Sequence, residues 1–166
     1  MTENAQIAAG LAWASAGAWS LLSAYASVTD LRRGVIPRRA VWIVGMVIAV
    51  LLVAASIVLG DLGRVGWAFL GAGSIGAFLE IVYRLWPGRI GFGDVRLIIV
   101  NSLLAGWWGI EWSWWALCAG AVAELPIALV AVIRHGRQAT VRWAPGLGLG
   151  TAAVVANRLL FIGAVG

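Results

Sequence analysis

Apolar stretches long enough to cross a bilayer follow one another along this chain, and nothing constrains its fold more. A helix traversing a ~30 Å hydrocarbon core needs ~20 residues at about 1.5 Å each. Six candidates appear in order: Ile7–Thr29, Ala40–Gly60, Val65–Leu85, Gly91–Ile110, Trp112–Ile133 and Ala144–Gly163. Of 166 residues, 62% are hydrophobic and 11% charged, against roughly 45–50% and about 25% in soluble domains. A water-soluble fold of this size cannot hide so much apolar surface, so lipid must be the main solvent. In lipid every backbone polar group needs an internal partner, which a helix supplies within itself. The expectation is an all-α, polytopic membrane protein, organised as a single domain over residues 1–166.

The first stretch follows Met-Thr-Glu-Asn-Ala-Gln, with no positive n-region, and reads as a retained helix rather than a signal peptide. The fourth is the awkward one. Its clean apolar part, Leu97–Ile110, is about 21 Å long. To cross, it must recruit Gly91–Arg96, or the membrane must thin locally. The first solution draws Asp94 toward the membrane.

The net charge is +5 and all 12 basic residues are arginine. They form no single patch, which argues against nucleic acid as a partner; instead they sit in short clusters between apolar stretches. Arg32, Arg33, Arg38, Arg39, Arg84, Arg89, Arg96, Arg134, Arg137 and Arg142 fall on one side of a six-span topology. Arg64 and Arg158 are left on the other. The positive-inside rule assigns the rich side to the cytoplasm and both termini to the outside. Trp107, Trp108, Trp112, Trp114 and Trp115 bunch around the fourth-to-fifth turn, where an outer aromatic belt belongs. Gly71, Gly73 and Gly76, and the run Pro145–Gly150, read as surfaces for close helix packing. The single cysteine, Cys118, has no partner for an internal disulfide and reads as a small buried hydrophobe. His135 is expected in a loop with no catalytic part.

Topology sorts the seven acids. Glu3, Asp61 and Glu111 fall at outer ends, Asp30 and Asp94 at the inner ends of the first and fourth spans. Glu80 and Glu124 lie within spans three and five. A carboxylate inside a membrane costs ~2.5–3.5 kcal/mol on insertion scales, which makes each intramembrane acid a functional candidate. Asp30 precedes Leu-Arg-Arg-Gly-Val-Ile-Pro, and on local grounds an ion pair with Arg32 or Arg33 would account for it. Asp94 closes Gly91-Phe92-Gly93-Asp94, where two glycines permit close backbone approach and leave room for an extended substrate. For Glu80, Arg84 is one turn away and suggests an ion pair. Both Glu80 and Glu124 stay open between interhelical bonding and substrate contact.

Asp30 with Ile36-Pro37, then Gly91-Phe92-Gly93-Asp94-Val95-Arg96-Leu97, and finally Trp143-Ala144-Pro145-Gly146-Leu147-Gly148-Leu149-Gly150, resemble the type IV prepilin peptidase family. That family belongs to the GxGD membrane aspartyl proteases. The resemblance runs from about Val28 to Gly150. It implies Asp30 and Asp94 as catalytic residues, supported by Gly91, Gly93, Arg96, Ile36, Pro37, Pro145 and Gly146. One carboxylate would take a proton from water while its protonated partner polarises the scissile carbonyl. No metal or cofactor is implied. The implied partner is a prepilin or pseudopilin, cut after a glycine between a basic leader and an apolar helix, in a bacterial or archaeal cytoplasmic membrane. The family has Asn where this chain has Arg38 and Lys where it has Arg96; the second keeps the charge and changes the donor geometry. Longer members carry paired CxxC cysteines linked to N-methylation. With one cysteine, this chain resembles the short, peptidase-only kind. Two other classes compete: a small transporter using Asp30, Glu80, Asp94 and Glu124 as a proton or cation relay, and an inactive homologue serving as an assembly scaffold.

Overall fold

The computed structural model describes residues 2–85, 91–135 and 143–162. Of the basic residues behind the topology, Arg89, Arg137 and Arg142 lie outside them. Six α-helices occupy the described residues: α1 (Glu3–Arg33), α2 (Arg38–Leu59), α3 (Gly63–Leu85), α4 (Phe92–Gly106), α5 (Ile110–His135) and α6 (Ala144–Ala156). The last continues as a π-helical turn over Asn157–Ile162. Helices α1, α2, α3 and α5 are long and apolar enough to cross a membrane. The chain is a polytopic helical membrane protein.

Local sequence sets the helix ends. Thr2 caps α1 by accepting from the Ala5 amide at 3.4 Å, and Glu3 sits at its positive end while Arg32 and Arg33 sit at its negative end. Gly34 stops α1 in a left-handed conformation, φ 65°, donating its amide to the Asp30 carbonyl at 2.8 Å. Only glycine adopts such a turn at little cost. Pro37, with its preset φ, then leads into α2.

The shortest membrane-facing problem is solved by burial. Helix α4 has 15 residues, about 22 Å, and it packs against every other helix of the bundle. Val95, Leu97, Ile98, Val100 and the whole run Asn101–Gly106 are buried. A helix sheathed in protein need not match the bilayer by itself, and the following Trp107 and Trp108, 0% and 8% exposed, complete its passage. It begins at Phe92, so it does recruit the segment that holds Asp94. Around this post, α1 pairs most extensively with α2, α3 with α4, and α5 with α6.

The outer faces are apolar. Leu21, Ile43, Met46, Val50 and Ile133 are all at least 64% or more exposed, up to 76% for Leu21, as a lipid solvent allows. Cys118 belongs to this face: it is exposed rather than buried, because its turn of α5 presents Ala116 and Gly120 inward instead. His135 is the last residue of α5, not a loop residue. Of the α3 glycines, Gly71 meets Ser113 and Gly76 meets Ile99, whereas Gly73 faces open space. The packing stripe is therefore narrower than the run of small residues suggested.

Inside, polar groups pair between helices. The Trp19 indole donates to Asn101 Oδ1 at 2.8 Å, and the Asn101 amide donates to the Leu147 carbonyl at 3.4 Å. That chain joins α1, α4 and α6. The Trp107 indole donates to Ser56 at 2.8 Å, and Ser113 donates to the Ser102 carbonyl at 2.7 Å. Replacing Asn101, 3% exposed, by Leu strands the Trp19 donor and should cost about 1–2 kcal/mol. Denaturant titration in detergent micelles measures it, and an unchanged midpoint would show that the tie contributes nothing.

Candidate active site

Asp30 and Asp94 reach one place from different helices. Asp30 lies near the end of α1 and Asp94 in the first turn of α4. Together with Gly34, Val35, Ile36, Gly91, Phe92, Gly93 and Arg96 they line a cleft of about 270 Å³. The sequence placed Asp30, Ile36, Gly91, Gly93, Asp94 and Arg96 in one site, and the fold brings them together. Pro37 is not on the cleft wall; it is the N-cap residue directly before α2.

The two glycines do different things. A methyl group at position 93 would come within 3.1 Å of Ile36 Cβ, so Gly93 lets α4 press against the α1–α2 turn. One at position 91 would sit 2.8 Å from Asp94 Oδ2, so Gly91 leaves the space that the carboxylate occupies. Arg96 lies over the Phe92 ring at 4.3 Å, and Phe92 packs on Tyr83 at 5.4 Å. The Arg96 guanidinium thus sits over an aromatic face beside the cleft, a cation–π contact.

Pro145 and Gly146 lie outside the cleft, in the first turn of α6. Asp30, 7% exposed, accepts from the Ala144 amide at 3.4 Å. Two residues on, the Gly146 amide donates to Glu124 Oε2 at 2.8 Å. Pro145 between them has no N–H, so the first turn of α6 offers one amide to each acid. A helix N-terminus favours negative charge, and here it receives two carboxylates from α1 and α5. Gly146 has no room for a side chain, which would collide with Glu124 and the Gly120 carbonyl. Glu124 is 1% exposed and ties α5 to α6. Glu80 instead pairs with Arg84 at 2.9 Å on α3, as its spacing suggested.

Sequence reasoning missed Gly34, Val35 and Phe92 as cleft walls. The signal for Gly34 was present, a glycine directly after a helix with two terminal arginines. The Glu124–Gly146 bond joins residues 22 apart and left no local trace.

Two acids from different membrane helices thus line one cleft, one of them closing a Gly-Phe-Gly-Asp segment at the start of α4. Residues 17–136 match the model of the type IV leader peptidase family. The chain belongs to that family. The matched region includes both aspartates and Glu124, and ends before Pro145 and Gly146. No curated protein and no solved structure matches the chain significantly.

Glu124→Ala leaves the Gly146 amide buried without an acceptor, which should cost about 1–3 kcal/mol. Glu124→Gln keeps an acceptor oxygen and should retain most of that stability. Thermal unfolding of the purified protein in detergent compares the two, and equal losses would show that volume, not the hydrogen bond, matters.

Proposed function

We propose that this protein is an aspartic endopeptidase that removes the leader of a prepilin-like or pseudopilin-like substrate, with Asp30 and Asp94 as its catalytic pair. The observation that carries the reading is the single cleft that both carboxyl groups line, in a member of the type IV leader peptidase family. Carboxyl groups brought into one small site share a proton, because like charges held close together do not both ionise readily. The ionised member takes a proton from water as the oxygen attacks the scissile carbonyl. The protonated member polarises that carbonyl and then supplies the proton to the leaving amine. The roles belong to the pair, and neither residue is assigned one alone.

The surroundings support this chemistry. The Gly91-Phe92-Gly93 backbone forms part of the cleft wall with little side-chain bulk, which suits an extended peptide. The arginines counted on this side orient the cleft to the cytoplasm by the positive-inside rule. At the opposite end, Arg64 pairs with Asp61 at 3.0 Å and lies over Trp107, which is buried rather than on an outer belt, while Arg158 lies over Trp112 at 4.6 Å. A substrate helix lying in the bilayer would present its leader junction at the level of the cleft. A relay through the membrane fits less well, since Glu80 is paired with Arg84 on a partly exposed face of α3.

Asp30→Asn and Asp94→Asn should each lower the cleavage rate of a prepilin-like peptide by about 10²–10⁴-fold, with membrane insertion unchanged. A reconstituted cleavage assay in liposomes measures this. Full activity in either variant would sink the two-aspartate mechanism.

A further inference from the structure

Glu124 has no part in the two-aspartate chemistry, yet it is 1% exposed inside α5. A carboxyl group buried in a membrane span is costly, and buried polar groups are ordinarily given partners. Here one oxygen accepts from the Gly146 amide at 2.8 Å, while Oε1 is buried with no hydrogen-bond partner among the described residues. A half-satisfied buried carboxyl group is a poor device for stability alone. Its one bond must matter for what it places.

That bond fixes the start of α6. Gly146 is two residues beyond Ala144, whose amide donates to Asp30 at 3.4 Å. The two contacts are unequal. At 2.8 Å the Glu124 bond lies within the usual range of N–H···O bonds, and 3.4 Å lies beyond it. A displacement of a few tenths of an ångström would part Asp30 from its amide, whereas the Glu124 bond would survive it. Pro145 joins the two amides with a preset φ, so Ala144 and Gly146 move together. A side chain at Gly146 would also meet the Gly120 carbonyl, so α5 and α6 touch at backbone level there. Such packing transmits a shift rather than absorbing it.

We propose that Glu124 is a positioning residue for Asp30: by clamping Gly146 it sets where the first turn of α6 presents the Ala144 amide to that carboxyl group. The inference rests on the peptidase reading and deepens it. Glu124 is not on the cleft wall, so it acts on the rate of the chemical step and not on substrate binding. A reacting group misplaced by about 1 Å can lose about 100-fold in rate.

The test uses the full-length protein in liposomes, a prepilin-like peptide and three variants. Glu124→Gln keeps an acceptor oxygen; Glu124→Leu and Glu124→Met fill the space without one. Each is assayed per folded molecule, with folding read from its cooperative thermal transition. The Leu and Met variants should lose about 10–100-fold in kcat with KM within about twofold of wild type. The Gln variant should recover kcat to within about threefold. An acid that only holds the bundle together would lower the melting temperature and leave kcat unchanged, and that result overturns the proposal. So does a Gln variant as slow as the Leu variant, or a loss confined to KM. A second readout needs no turnover. The amide proton resonance of Ala144 in detergent micelles should move in the Leu and Met variants, as it does in Asp30→Asn, and stay in place in Glu124→Gln. An Ala144 resonance unmoved by Leu and Met overturns the clamp even where wild type cleaves. A resonance that moves as expected, in a protein whose wild type cleaves no such peptide, would instead overturn the peptidase reading.

Discussion

A polar group inside this bundle has no water to turn to, and the hydrogen bond from Trp19 to Asn101 shows what that constraint builds. It joins α1 to α4, the helices that carry the two aspartates. Asn101 also donates to the Leu147 carbonyl, which Thr151 shares at 2.9 Å, so α6 is drawn into the same tie. In lipid the hydrophobic effect gives helices little reason to associate, and packing and interhelical hydrogen bonds take its place. The relative height of Asp30 and Asp94 is therefore set well away from the cleft, in the dry middle of the bundle.

Packing does the rest, and glycine makes it possible. Gly150 lies so close to the Gly120 backbone that no side chain fits, and Gly146 lies equally close to Glu124. Helices α5 and α6 consequently touch along their backbones, where many small contacts sum. That closeness lets a carboxylate as short as Glu124 reach the first turn of α6. The same first turn presents the Ala144 amide to Asp30. Close approach in the bundle and placement of a site residue are one event.

How much of this was legible depended on range. Helix number and order followed from runs of apolar residues, a signal local to each segment, and the α4 boundary followed from a length argument. Asp94 announced itself through its glycines, and each glycine lies close to a neighbour that a side chain would crowd. Asp30 did not, because an acid followed by two arginines at a helix end looks like an ordinary capping arrangement. Its company in the cleft is tertiary. Asn101 and Glu124 were opaque for the same reason: an amide and an acid in apolar runs reveal a need for partners without naming them. Cys118 was misread because an apolar composition does not distinguish the face toward lipid from the face toward protein.

Backbone contacts and missing side chains do much of the placing at this site. Asp30 is held by an amide of α6, Asp94 is accommodated by the absence of a side chain at Gly91, and Arg96 is occupied by the Phe92 ring. An amide N–H at a helix N-terminus orients a carboxyl group and favours its charged form. Helix termini and two glycines position both acids in a medium where a lone charge is expensive.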